Sequence, residues 1–222
     1  MCYTIIVMKY QLAVFDLDGT ILDTLKDLAE ATNYALARRG FPVRTLDEIR
    51  EFVGNGARNL ILRACPEGTP ASVLDAVQKD FTEYYKDHCA DNTRPYEGIK
   101  ELLAELRDAG IKTAVLSNKP DYGVQALVKV HFDGLFDLAM GERPEFRRKP
   151  EPDAVNAILE QLAVPRENAV YIGDSDVDVA TAENAGLDHV IVTWGFRSRD
   201  FLLAHGAKKL AADMDELKDC LI

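Results

Sequence analysis

Paired cysteines are missing from this sequence. Its four cysteines, Cys2, Cys65, Cys89 and Cys220, are scattered with no CxxC spacing. That excludes a disulfide framework and a zinc ribbon, and leaves isolated reduced thiols of a cytoplasmic protein as the expectation. The four histidines, His88, His131, His189 and His205, show no metal-ligand spacing either. Basic residues are also in deficit, with 26 Lys and Arg against 37 Asp and Glu and a net charge of −11. Binding a nucleic-acid backbone needs clustered Lys and Arg, so nucleic acid is excluded as a partner. The same acidity repels anions at long range, and a phosphate site here has to be locally basic or metal-loaded. No apolar run approaches the length of a membrane span. The apolar stretch 4–8 is short and has neither a basic leader nor a small-residue cleavage site. Met8 reads as an alternative start that would make the first seven residues dispensable. There is no P-loop, no internal repeat and no low-complexity stretch. Gly54-Asn55-Gly56 lacks the third glycine and the preceding strand of a dinucleotide fingerprint.

The 222 residues, 47% of them hydrophobic, are enough to bury a sizeable core. Four short apolar runs, 12–15, 113–116, 169–172 and 190–193, read as buried parallel strands, with a fifth candidate at 136–140. Each is too short for a helix, rich in β-branched or aromatic residues, and closed by Gly, Asp, Ser or Asn. Helical patterns lie between them. Ile99, Leu102, Leu103 and Leu106 share one face and stop at Gly110, and 152–162 and 177–185 are similar in length. This alternation predicts an α/β fold, a doubly wound parallel sheet with a Rossmann-like core, whose ligands bind beyond the carboxyl ends of the strands. Residues 21–93 break the alternation. Leu25, Leu28, Ala29, Ala35 and Leu36 follow helical spacing up to Gly40, and Leu74, Val77, Phe81 and Tyr84 form a second stripe after Pro70. The segment carries no strand pattern and reads as an all-helical cap domain, 21–93, inserted into a core formed by 1–20 and 94–222.

Chemistry-bearing residues gather at the predicted strand ends. Asp16-Leu17-Asp18-Gly19-Thr20 leaves the first strand with two carboxylates two residues apart. Acids so close repel unless a cation or a shared proton intervenes; a solvated turn is the plain alternative for this segment alone. Gly173-Asp174-Ser175-Asp176-Val177-Asp178 follows a neighbouring strand and would bring Asp174 to the same centre. Oxygen-only ligands suit a hard cation such as magnesium. Asp176 and Asp178 open a helix, where an acid is favoured by the dipole, so one of them can be a cap alone. Ser117-Asn118-Lys119 closes a third strand with small donors for phosphate oxygens, though such a turn is common. Arg147-Arg148-Lys149-Pro150 is a basic cluster in an acidic chain. An aspartyl nucleophile facing a phosphate dianion needs a cation, and Lys149 is the candidate.

Taken in order, Asp16 to Thr20, Ser117, Lys149-Pro150 and Gly173 to Asp178 resemble the four motifs of the haloacid dehalogenase-like phosphatases. The resemblance runs from residue 12 to beyond 190, and the helical insertion is similar to the cap of those enzymes. It implies a magnesium-dependent phosphomonoester hydrolase. Asp16 would be the nucleophile and Asp18 the acid and base, with Ser117, Asn118 and Lys149 on phosphoryl oxygens. Magnesium would sit on Asp16, Asp174 and the backbone carbonyl of Asp18, with Asp178 supporting its waters. Asp16 to Thr24, Phe52 to Gly56, Arg94 to Gly98 and Thr193 to Arg197 resemble the bacterial phosphoglycolate phosphatases in particular. That likeness implies a small phosphorylated metabolite, 2-phosphoglycolate, as substrate, and makes Arg58 in the cap the candidate partner of its carboxylate. Pyrophosphatases and sugar-phosphate phosphatases share several of these matches. A phosphomutase would want a histidine early in the cap, and none occurs from Leu28 to Asn33. A receiver-type signalling domain has no place for the insertion, and Asp18 would destroy a lasting phospho-signal.

Overall fold

The structure, a computed structural model, describes residues 9–222; the stretch 4–8 and the proposed start at Met8 lie outside the described residues. The first strand β1 (Leu12–Phe15) leads into a two-residue strand β2 (Leu22–Asp23). Four helices follow without interruption by strands: α1 (Leu25–Ala37), α2 (Leu46–Phe52), α3 (Ala57–Ala64) and α4 (Ala71–His88). After β3 (Arg94–Pro95) come α5 (Ile99–Asp108), β4 (Lys112–Pro120), α6 (Asp121–Phe132) and β5 (Leu138–Glu142). The chain finishes with α7 (Asp153–Leu162), β6 (Ala169–Gly173), α8 (Asp176–Ala185), β7 (Asp188–Val192), α9 (Arg199–Ala204), β8 (Leu210–Ala211) and α10 (Met214–Leu221).

Six strands form one parallel sheet in the order β5-β4-β1-β6-β7-β8. The chain winds outward from β1 in one direction, then returns to its other side, so the sheet is doubly wound as expected. The period of two explains why the central strands read as continuous apolar runs. Ala13 and Phe15 of β1, with Val170 and Ile172 of β6, pack with Leu103 of α5 and Leu127 of α6. Leu12, Val14 and Tyr171 point the other way, against Val155 and Ile158 of α7 and Ala182 of α8. Both faces are covered, which is what a parallel sheet requires. The stripes on α5 and α1 are buried at the positions the periodicity assigns. On α4 the stripe continues through Tyr85 instead of Tyr84; Tyr84 stacks on Tyr34 at 4.2 Å.

The expectation that 21–93 holds no strand fails at Leu22–Asp23, which pairs antiparallel with Arg94–Pro95. A two-residue ladder has no period for a sequence pattern to show. The fifth strand is shifted to Leu138–Glu142, and β8 was not expected. No helix among the described residues is long and apolar enough to cross a membrane, and Cys65, Cys89 and Cys220 form no disulfide.

The chain crosses between sheet and helical insertion twice, at β2 and β3, and one buried side chain ties the crossings together. Asp27 of α1 accepts from the backbone N–H of Asn92 at 2.9 Å and of Thr93 at 2.8 Å. It also accepts from Asn92 Nδ2 at 2.8 Å and Thr93 Oγ1 at 2.7 Å. Asp27→Ala would leave the buried Thr93 N–H without a partner and release the half-buried Asn92. Hydrogen bonds to a charged group contribute about 1.5–3 kcal/mol each without adding fully, so the substitution should cost about 3 kcal/mol in urea unfolding. An unchanged midpoint would show that the two crossings are not held by this carboxylate.

Candidate active site

Parallel pairing of β1 with β6 sets Phe15 beside Ile172, so the residues just past each strand end meet at one edge of the sheet. The Asp16 N–H donates to the Ile172 carbonyl at 2.8 Å, which fixes its backbone. Asp16, Asp174 and Asp178 each bring an oxygen within 4.8 Å of the others, and all three are buried. Asp18 follows Asp16 in a turn closed by Gly19 (φ 85°). Backbone wraps closely around Asp174. A Cβ on Gly19 would stand 2.4 Å from Asp174 Oδ2, and one on Gly195 2.4 Å from the same oxygen. Asp174 accepts from the Phe196 N–H at 2.7 Å and from Thr20 Oγ1 at 3.3 Å.

Lys149 comes from the loop before α7. Its Nζ lies 2.8 Å from Asp16 Oδ1, 2.8 Å from Asp178 Oδ1 and 3.1 Å from Tyr171 Oη. Burial works against its charge, but the carboxylates of Asp16 and Asp178 win and hold its pKa well above that of a free lysine. Burial pushes the Asp16 carboxyl up to about 7, reinforced by Asp178 and Asp18 and opposed by Lys149. Asp174 is raised too, by burial first and then by Asp178 and Asp16. A second lysine, Lys119 of β4, places its Nζ 3.0 Å from Asp18 Oδ1. Four carboxylates thus face two ammonium groups, and two negative charges are left over when all are ionised. An all-oxygen cluster with that surplus fits a hard divalent cation.

A cavity of about 60 Å³ opens between this edge and the helical insertion. Asp16, Asp18, Ser117, Lys119, Lys149 and Asp174 line its sheet side, and Leu28, Val53, Leu60, Phe81 and Tyr85 the opposite wall. Of the residues expected from the sequence, Asp16, Asp18, Asp174, Ser117 and Lys149 converge here. Asn118 lines the cavity, but both hydrogens of its amide are engaged, with the Gly54 carbonyl at 3.2 Å and the Lys149 carbonyl at 3.1 Å. Its side chain bridges the two parts of the molecule instead of facing a phosphate. Asp178 takes the N–H of Asp174 and of Ser175 at 3.1 Å and Ser175 Oγ at 2.6 Å. It completes the capping box of α8, whose N-cap is Ser175, and it anchors Lys149.

Arg58 is not where the sequence reading put it. At the start of α3 it turns along α4, with Nη2 2.8 Å from Asp75 Oδ1 and Nη1 3.0 Å from Gln78 Oε1, and it does not line the cavity. Leu60 faces the cavity, and the two-residue spacing turns Arg58 to roughly the opposite side of α3. Three contributors were missed: Lys119, Tyr85 and Arg197. Lys119 stood beside Ser117-Asn118, and Tyr85 lay one residue past a stripe that was read through Tyr84. Arg197 donates to the carbonyls of Arg50 at 2.8 Å and Val53 at 2.7 Å at the end of α2.

A family model for haloacid dehalogenase-like hydrolases matches residues 13–192, which include the four acids and both lysines. The chain belongs to the haloacid dehalogenase-like hydrolase family. It is 37% identical over 200 residues to a phosphoglycolate phosphatase of Rhodobacter capsulatus, covering 88% of this chain and 90% of the relative. It is 29% identical over 223 residues to an N-acetylmuramic acid 6-phosphate phosphatase of Pseudomonas aeruginosa, covering 96% of each. A solved structure from Lactobacillus delbrueckii subsp. bulgaricus, named as a candidate phosphoglycolate phosphatase, superposes with a TM-score of 0.93 at 39% identity. It covers 97% of this chain and 99% of that one.

In this haloacid dehalogenase-like hydrolase the Asp174 carboxylate leaves no room for a methyl group at Gly195, whose Cβ would also stand 2.5 Å from the Gly19 carbonyl. Gly195→Ala should therefore lower stability by about 1–3 kcal/mol in urea unfolding, as overpacking does. A variant as stable as the parent would mean that Asp174 is not packed as described.

Proposed function

We propose that this chain hydrolyses small anionic phosphomonoesters, 2-phosphoglycolate first among them, through a transiently phosphorylated Asp16. The observation that carries the reading is the buried Asp16 carboxylate, 2.8 Å from Lys149 Nζ, in one cavity with Asp18, Ser117 and Asp174. Residues 21–93 act as the cap and 1–20 with 94–222 as the core. Asp16 attacks phosphorus; a bond forms from its carboxylate oxygen as the bond to the ester oxygen breaks. Asp18 gives its proton to that departing oxygen. Asp18 then takes a proton from a water, which attacks phosphorus, frees Asp16 and releases inorganic phosphate. Ser117 and Lys149 hold phosphoryl oxygens, and Asp178 holds Lys149. Magnesium is the cation that Asp16, Asp174 and the backbone carbonyl of Asp18 would hold, and when bound it offsets the negative charge of the transferring group. A cytoplasmic location belongs to the same proposal.

The likeness to phosphoglycolate phosphatases, at 37% and 32% identity over most of the chain, supports this substrate ahead of the other phosphate classes.

The test is a comparison of kcat/KM for 2-phosphoglycolate, pyrophosphate, sugar phosphates and an aryl phosphate with magnesium. We expect 2-phosphoglycolate to lead; a sugar phosphate or pyrophosphate in first place would overturn the substrate and leave the chemistry standing. Asp16→Asn should abolish turnover. Asp18→Asn should lose about 10²–10⁴-fold, since that is what general acid–base catalysis contributes, and a loss under about tenfold contradicts its role. Magnesium added to chelator-treated protein should raise the melting temperature, through binding to the folded state alone, and restore activity. Full activity in excess chelator would remove the metal from this account.

A further inference from the structure

With Arg58 turned away, the cavity needs a different cation for an anionic leaving group. We propose that Lys119 is the residue that selects such a leaving group, held for that task by Tyr85 of the cap; this rests on the phosphatase reading above. Its Nζ is 3.0 Å from Asp18 Oδ1, so it stands beside the group that protonates the departing oxygen. In 2-phosphoglycolate one methylene separates that oxygen from the carboxylate. A cation next to Asp18 is therefore within reach of the carboxylate, whereas Lys149, between Asp16 and Asp178, stands at the phosphoryl end of the site.

Three features show that Lys119 is built into the site. Its side chain is 3% exposed, and a buried ammonium is costly unless partnered. Tyr85 Oη accepts from its Nζ at 2.7 Å, with the ammonium 4.7 Å from the ring centroid. An ammonium has three donors; Tyr85 takes one, Asp18 Oδ1 lies at ion-pair distance without a hydrogen bond of its own, and a donor remains for a ligand. The stem runs over Gly123, where an added Cβ would come within 3.3 Å of Lys119 Cδ. Other cations near the cavity are committed elsewhere. Arg197 serves the α2 carbonyls, and Arg148 pairs with Glu142 at 3.0 Å. Because Tyr85 belongs to α4, the subsite is complete only with the cap over the core. The apolar wall of Leu28 and Phe81 keeps water away, which strengthens a contact between ammonium and carboxylate.

The experiment compares kcat/KM for 2-phosphoglycolate with that for ethyl phosphate, whose leaving group has the same carbon length and no charge. It uses the full chain with magnesium, and urea unfolding verifies that each variant folds. Lys119→Met should slow both substrates, because Asp18 loses its neighbour. The preference for 2-phosphoglycolate should fall by roughly 30-fold or more, as expected when one partner of a buried charge pair is removed. Lys119→Arg should keep most of the preference. Tyr85→Phe, the gentler variant, should reduce it several-fold if Lys119→Met does not fold. An equal loss on both substrates in Lys119→Met, or an unchanged preference in Tyr85→Phe, overturns the proposal. A native enzyme with no preference for 2-phosphoglycolate over ethyl phosphate overturns the substrate reading beneath it, and this is seen before any variant is made.

Discussion

Asp16 and Asp174 are brought side by side by the pairing of two parallel strands, and the backbone leaves them no way to separate. Asp18 and Asp178 add two more acids within the same buried volume. Such crowding is expensive: each carboxylate loses water and gains a like-charged neighbour, which is why Asp16 and Asp174 hold protons more tightly than free aspartates do. Lys149 relieves it from one side by touching Asp16 and Asp178 at once. Buried ion pairs of this kind seldom add stability over a well-packed apolar alternative. In the proposed reading their place is explained by the hard cation that the surplus negative charge would hold, which in turn would offset the charge of a phosphoryl group.

Asp178 shows how folding and chemistry are joined. The same carboxylate that caps α8 through Ser175 also fixes Lys149. The loop after β7 makes a comparable link at longer range. Trp194 Nε1 donates to the Thr20 carbonyl at 3.1 Å, the Phe196 N–H reaches Asp174, and Arg197 grips the end of α2. One short loop thus touches the start of the first crossing, the acid cluster and α2. With the β2–β3 ribbon at the two crossings, it holds the helical insertion against the acid cluster.

The strands and the insertion were legible because they rest on period. Leu12 to Phe15 is apolar at every position since both faces are covered, and α5 buries the four residues its spacing names. The core of the site was legible because its acids fall at strand ends, where parallel pairing has to bring them together. What escaped depends on direction, which spacing does not encode. Arg58 follows a glycine turn as a substrate-binding residue might be expected to, yet the face of α3 that packs inward is that of Leu60 and Ile61. Tyr85 lies in an apolar stripe and differs from its core neighbours only by a hydroxyl that finds Lys119 of β4. Arg197 reaches across 144 residues to the Val53 carbonyl and Asn118 across 64 to that of Gly54, and nothing local marks these contacts.

The central claim is that Asp16 carries the phosphoryl group in transit. The most direct measurement is to quench the enzyme with acid during turnover of 2-phosphoglycolate, reduce it with borohydride and map the product by peptide mass spectrometry. An aspartyl phosphate is reduced to homoserine, while a free carboxylate survives. The account predicts homoserine at position 16, dependent on substrate and absent without it. Homoserine at another aspartate, or an unmodified Asp16 in enzyme caught turning over with its intermediate accumulated, would contradict it.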